Sequence, residues 1–271
     1  MQTRIVVYPY KLGSESGKKV ATALDALRIK AEGDYHPRNG DFIVGWGNGH
    51  PPIWGGELKG KDVVFLNHPD KVALSVNKID TFNLFKKHGV PHPDWSFHST
   101  DAIKWFNQNH WVCCRQSVEG KDGEGLILAK TKADMVPAKL YTRYMPIAKE
   151  FRVYVFGDEL LDIREKRRDT DALKAGKVNE YIRTTSGNWV YCQYGFKTPS
   201  DAREVAVAAT KALGLDFAGV DIIQAKEDGK CYALETNTAP YVGDHTVSRL
   251  RDAIIKRHKE FVTKTIAPKW W

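Results

Sequence analysis

Residues 219–237, GVDIIQAKEDGKCYALETN, constrain the fold more than any other stretch of the chain. Two apolar, β-forming runs flank a Glu-Asp-Gly turn, the pattern of an antiparallel hairpin. Glu235 and Asn237 stand two residues apart on the return run, so their side chains share one sheet face. With an odd number of residues in the turn, the register is symmetric about residue 228 and sets Asp221 directly across from Glu235. Like charges facing each other across strands are destabilising unless something positive sits between them. Two carboxylates and an amide oxygen are hard oxygen ligands, suited to magnesium held jointly with substrate phosphates. A solvated polar sheet face would read the same way.

The chain has ample material to build around this hairpin. Its 271 residues make one to two domains at roughly 150 residues each. A content of 42% hydrophobic and 27% charged residues is ordinary for a globular protein and excludes a disordered or fibrous chain. No apolar stretch approaches the ~20 residues a bilayer span needs, and the start, MQTRIVVYPYKLG, has only a short apolar segment. The expectation is a soluble, cytoplasmic protein with no membrane partner. Cys113, Cys114, Cys192 and Cys231 lack C-x-x-C spacing and are expected as reduced strand or core residues. His88 and His92 flank a Gly-Val-Pro turn instead of sharing a helical face, so no histidine metal site is expected. The formal net charge of +8 favours an anionic partner such as a nucleotide, nucleic acid or acidic peptide.

The pattern along the chain changes near residue 70. Strand-like runs at 4–8, 42–46 and 62–66, with helical spacing of Val20, Leu24 and Leu27 after the first, predict a small α/β domain over residues 1–70. From Asn77 a helix places Ile79, Phe82 and Phe85 on one stripe and stops at Gly89. Strand-like runs at 111–116, 125–129, 139–144, 151–156 and 159–164 then follow, joined by Gly- or Asp-containing turns, which predicts antiparallel pairing. A helix at 202–213 carries Asp201 and Glu204 at capping-box spacing and ends at Gly214. A last amphipathic helix has Val247, Leu250, Ile254 and Phe261 on one face and Arg249, Arg251, Lys256, Arg257 and Lys259 on the other.

Two further pieces carry chemistry. In the loop VEGKDGEGL, Gly120, Gly123 and Gly125 leave backbone amides open to phosphate oxygens. Glu119, Asp122 and Glu124 would repel phosphate, so contact must come from amides or from Lys121; a plain Asp-Gly hairpin is the alternative. The basic series Lys78, Arg115, Lys166, Arg167, Arg168 and Arg183 offers phosphate donors, though interleaved acidic residues between 143 and 183 are equally the pattern of a mixed-charge surface. Ser14, Ser16 and Gly17 at a helix start, with Trp46 and Asn48, read either as a cap and core packing or as an anion and substrate cleft.

The order of these pieces resembles the ATP-grasp superfamily. The carriers are Lys78 on a helix leading to HGVPHP, the strand VCCRQ, the loop GKDGEG, the segment YTRYMPIAKEFRVYVFGDELLDIREKRR, and FAGVDII with LETNTAP. The match is closest to carboxylate-amine ligases that add amino acids to protein or peptide termini, and FIVGWGNG is similar to phage-borne members. The resemblance implies an α+β ATP-grasp fold over residues 71–271, with lobes at 71–140 and 141–271, preceded by the small α/β domain. It further implies ATP clamped between the lobes and magnesium or manganese at Asp221, Glu235 and Asn237. Lys78 and Arg115 would hold phosphates under the 120–125 loop, with Lys121 in it. Arg143, Tyr144 and Met145 would form the adenine-binding hinge, Glu150 would accept the ribose hydroxyls, Lys166 would lie near the phosphates, and Arg183 would steady an acyl phosphate. Two residues depart from the pattern: Arg115 stands where lysine is usual, and Arg143 where an acidic residue is frequent. The implied reaction forms an amide through an acyl phosphate, releasing ADP and phosphate, from small-molecule or peptide carboxylates and amines. The rivals are a nucleotide-dependent scaffold without ligase activity and a ligase whose acceptor is borne on nucleic acid docked at the basic C-terminal helix.

Overall fold

The computed structural model describes residues 3–119 and 123–266. The chain opens with β1 (Arg4–Pro9), α1 (Glu15–Ala23), β2 (Leu27–Arg28), β3 (Asp41–Trp46) and β4 (Val64–Leu66), whose strands form a parallel sheet in the order β2-β1-β3-β4. Burial on both faces explains why β1 and β3 read as unbroken apolar runs. Ser14 caps α1 by accepting from the Gly17 amide at 3.1 Å, and Ser16 Oγ accepts from Trp46 Nε1 at 3.0 Å. These two serines and the fully buried Trp46 therefore serve a cap and core packing.

A helix that the sequence pattern does not announce, α2 (Pro69–Val76), precedes α3 (Lys78–Lys87). Pro69 reads as a strand stop, yet it occupies the first helical turn, where its missing amide costs nothing. Asn77 caps α3 through Oδ1 to the Ile79 amide at 2.9 Å, which fixes Lys78 at the helix start. The helix buries Phe82 and Phe85 and ends before Gly89, whose φ of +67° closes it.

Two antiparallel sheets follow. The first comprises β5 (Trp95–Ser96), β6 (Val112–Arg115), β7 (Leu126–Ala129) and β8 (Leu140–Arg143) in the order β5-β8-β6-β7, with α4 (Ser99–Asn107) packed on it. The second comprises β9 (Ile147–Phe156), β10 (Glu159–Arg168), β11 (Trp189–Cys192), β12 (Phe217–Ala225) and β13 (Cys231–Asn237) in the order β11-β10-β9-β12-β13. Within the second segment lie a short helix, α5 (Thr170–Lys174), and α6 (Ala202–Ala212). Strands β9 and β10 run longer than their apolar centres predict because charged residues at their ends line a cleft. Helix α6 covers the other face with Val205, Ala206 and Ala209. Asp201 makes no cap bond there; its Oδ2 accepts the Cys231 amide at 2.8 Å and ties β13 instead. All four cysteines are free and lie in strands.

The final helix, α7 (Asp244–Ile266), sends Leu250, Ala253 and Ile254 into a core shared with Phe42 and Trp46 of the parallel sheet and Phe217 of β12. Its basic face is partly spent internally, since Arg249 bonds Leu161 O at 3.0 Å and Arg251 bonds Asp252 at 2.7 Å. Asn67 makes a second tie: buried, with φ +48°, it donates to Phe217 O at 2.9 Å and accepts the Asp216 amide at 2.8 Å. Among the described residues no helix is long and apolar enough to cross a membrane.

Candidate functional site

Asp221 on β12 lies between two charged cross-strand neighbours, Arg152 on β9 and Glu235 on β13. Arg152 grips it with both arms, Nε to Oδ1 at 2.6 Å and Nη2 to Oδ2 at 2.7 Å. Lys78, at the start of α3, reaches Glu235 Oε2 at 3.2 Å, and Asn237 Nδ2 donates to Oε1 at 3.3 Å. The result is a row of charges across the sheet, Arg152, Asp221, Glu235, Lys78, running plus, minus, minus, plus. Burial would raise the Glu235 carboxyl, but Lys78 and Arg152 beside it hold it down at about 2. The register symmetric about residue 228 holds for the three pairs that matter, Gly219 with Asn237, Val220 with Thr236 and Asp221 with Glu235. It then shifts, pairing Ile222 with Ala233, so Leu234 is a bulge residue, and both Leu234 and Glu235 line the cleft.

One strand alternation away from Arg152, Glu150 faces the same cleft. Lys166 on β10 bonds its Oε1 at 2.5 Å and also donates to Arg183 O at 2.7 Å. Burial pushes the Glu150 carboxyl up despite this partner. The Tyr191 ring on β11 underlies both cations, with Arg152 at 4.7 Å and Lys166 at 5.2 Å from its centroid. Burial raises its phenol well above the usual range, and neighbouring Asp221 adds to that. Arg152 and Tyr191 are absent from the sequence-level set. The signal for Arg152 was its two-residue spacing from Glu150 in EFR; Tyr191 carries none, because β11 is a four-residue edge strand.

The segment joining the two antiparallel sheets forms one end of the cleft. Met145 packs with Ile147, Ile223, Ala225 and Leu234 as an apolar floor. The Arg143 amide is taken by Asp94 O at 2.8 Å and that of Tyr144 by Trp111 O at 2.9 Å. The Arg143 side chain, although it borders the cleft, bonds Asp94 Oδ2 at 2.8 Å and lies 3.8 Å from Glu227. Arg143 thus offers a ligand at most its carbonyl and its side-chain edge.

Arg183 is held at two points. Its Nη2 donates to Ile147 O at 3.1 Å and its guanidinium stacks 4.6 Å from the Trp189 ring. Arg183 lines the same cleft as Lys78, Asp221 and Glu235. The same segment crosses the cleft: Tyr181 lies under Lys130 at 4.1 Å and edge-on to Trp111 at 5.4 Å. Ile182 Cγ2 would stand 3.0 Å from a Cβ at Gly123, whose φ of +77° already selects glycine. Gly125, with φ +65°, returns the chain to β7. Gly120 and Lys121 lie outside the described residues.

Arg115, at the end of β6, borders the cleft with its Nε buried and unpartnered, as is Arg183 Nε. Buried donors without partners are rare in native structures and mark places where an acceptor belongs. Six basic and four acidic side chains line the cleft, an excess of positive charge that suits an anion. Among the described residues no three His, Cys, Asp or Glu side chains converge. The acidic donors to a cation are then Asp221 and Glu235, beside the Asn237 amide. Two carboxylates fit a magnesium ion that completes its shell with water and substrate phosphates, and not an all-protein cage.

No family model matches the chain. Over 68% of its length it is 25% identical to a probable alpha-L-glutamate ligase of Parasynechococcus marenigrum and 26% identical to one of Haemophilus influenzae, spanning 40% and 62% of those proteins. The chain is thus shorter than the curated relatives it matches. Among solved structures, the ATP-grasp ligase PsnB, complexed with a variant of its minimal precursor, Mg and ADP, superposes with a TM-score of 0.66 at 13% identity, covering 94% of this chain and 99% of that one. A D-alanine–D-alanine ligase from Bacillus anthracis gives a TM-score of 0.66 at 15% identity, covering 97% and 99%. The two antiparallel sheets and the cleft between them have the ATP-grasp fold of these structures.

Proposed function

We propose that the protein is an ATP-dependent ligase that transfers the γ-phosphate of ATP to a carboxylate and lets an amine displace the phosphate, giving an amide, ADP and phosphate. The observation that supports this best is the row Arg152, Asp221, Glu235, Lys78 opening onto a cleft where Arg115 Nε has no hydrogen-bond partner among the described residues. Phosphoryl transfer needs charge neutralisation and in-line positioning more than a protein nucleophile. Arg115 and Lys78 bind and orient phosphate oxygens, Arg115 through a planar fork in place of the usual lysine point charge. Asp221, Glu235 and Asn237 would hold magnesium, which would neutralise phosphate charge when bound. Glu150, fixed by Lys166, keeps one oxygen for the ribose hydroxyls, and Lys166 serves the phosphates only through that fixation. The floor around Met145 and Leu234 takes the purine, with Arg183 at its rim. The Gly123–Gly125 turn, meeting Ile182 across the cleft, excludes water that would hydrolyse an acyl phosphate.

The relatives' names guide the substrate class: glutamate for the curated ones, D-alanine and a precursor peptide for the structures. We take the substrates of this chain to be an amino acid and a small-molecule or peptide partner, in the cytoplasm where ATP and magnesium are supplied. The test is a screen of amino-acid and peptide pairs scored by nucleotide chromatography, with hydroxylamine added to trap the activated acid as a hydroxamate. ADP with a pair-dependent hydroxamate is expected. AMP and pyrophosphate would overturn the mechanism.

A further inference from the structure

We propose that Arg152 is a positioning residue that stands in for the cation between turnovers, while no metal is bound, holding Asp221 in place and making metal binding depend on nucleotide. The inference rests on the reading of Asp221 and Glu235 as metal ligands.

Three observations support it. Arg152 occupies both oxygens of Asp221, the atoms a metal would need. Without it, two carboxylates in direct cross-strand register would share the single charge of Lys78. The guanidinium also has a second resting contact, the Tyr191 ring at 4.7 Å, which it keeps if Asp221 is released. A planar fork that matches a carboxylate also matches a phosphate. An arriving triphosphate therefore competes for Arg152, frees Asp221, and opens the carboxylate pair to a metal at the moment when the phosphates supply its remaining ligands. In linkage terms, nucleotide and metal assist each other because both displace the same ion pair. A free divalent cation arriving alone meets a site whose charge is already balanced.

The experiment compares the full chain with Arg152→Gln and Arg152→Lys, using Mn2+ as the probe and reading melting temperature and Mn2+ affinity, with and without ADP, by calorimetry or paramagnetic resonance. Arg152→Gln should melt roughly 5 °C lower without metal, recover most of that loss with Mn2+, and bind Mn2+ in the absence of ADP roughly tenfold more tightly than the parent. ADP should strengthen Mn2+ binding less in this variant than in the parent. Arg152→Lys, which keeps the charge but loses the fork, should fall between the two. Unchanged Mn2+ affinity without ADP in both variants would overturn the proposal, as would a melting loss that Mn2+ leaves unrestored, since a merely structural ion pair predicts that. If the parent itself binds no Mn2+ even with ADP, and Asp221→Asn behaves identically, the metal reading fails and the proposal with it, by a pattern distinct from the others.

Discussion

Replacing Lys166 by methionine removes the ammonium bonded to Glu150 at 2.5 Å, in a pair whose side chains are 9% and 6% exposed. Glu150 then has two courses. It can stay ionised without its bonded cation, which costs about 3–5 kcal/mol in a buried pair, or it can take up a proton. Holding neutral a carboxyl whose ordinary value is about 4.3 costs about 1.4 kcal/mol per pH unit above that value, roughly 3.7 kcal/mol at pH 7. Protonation therefore caps the loss near 3–4 kcal/mol at pH 7, or about 10 °C in melting temperature for a chain of this size. At pH 5 the cap falls to about 1 kcal/mol. The sign follows from burial, which already raises this carboxyl in the folded protein. A group so raised keeps its contribution below its unfolded value and loses it as pH rises, so the deficit of the variant grows from pH 5 to pH 7. Differential scanning calorimetry at pH 5, 6 and 7 on the parent, Lys166→Met and Lys166→Met with Glu150→Gln measures this, and the double variant should lose the pH dependence. A deficit equal at pH 5 and pH 7 would refute the reasoning.

Arg115→Ala should weaken ATP binding roughly ten- to a hundredfold by isothermal calorimetry, the worth of one charge-assisted contact of about 1.5–3 kcal/mol. It should lower the melting temperature little, because Arg115 Nε has no hydrogen-bond partner among the described residues and Lys78 and Arg152 stay beside Glu235, while Arg115→Lys should retain part of the affinity. Gly45→Ala should destabilise by more than about 2 kcal/mol, because its Cβ would lie 2.3 Å from the Asn67 carbonyl oxygen; a chemical melt checks it. Asp41→Asn should cost most at neutral pH. Burial works to raise that carboxyl, but Arg4, Tyr35 and the Arg38 amide together hold it below its usual range, so its contribution fades as pH falls and the difference from the parent should shrink in acid melts.

The cleft was legible in the sequence where function repeats a local pattern. The two-residue spacing of Glu235 and Asn237 and the symmetry about residue 228 gave the shared carboxylate face, whereas Lys78 came from the resemblance, as a basic residue on a helix leading to HGVPHP. What escaped was set by packing between elements. Arg152 is one of ten basic residues between 143 and 183, and only its register opposite Asp221 distinguishes it from a solvated surface charge. The placement of Arg183 depends on how the segment after α5 folds across the cleft, which no spacing encodes. Helix α2 escaped because Pro69 has the same signature before a helix as after a strand. Asp201 has capping-box spacing, yet the amide it satisfies belongs to Cys231, thirty residues away.

The tie at Asn67 also joins the small parallel sheet to the floor of the cleft. The parallel sheet, α7 and the five-stranded sheet behave as one anvil, since they share a core through Trp46, Phe217 and Ile254 and are pinned where Asn67 bonds the start of β12. The four-stranded sheet has a small core of its own around Ala102, Val112 and Tyr141. It is the hammer of the pair: it carries Arg115 and leads into the glycine turn, while Asp221 and Glu235 stand on the anvil.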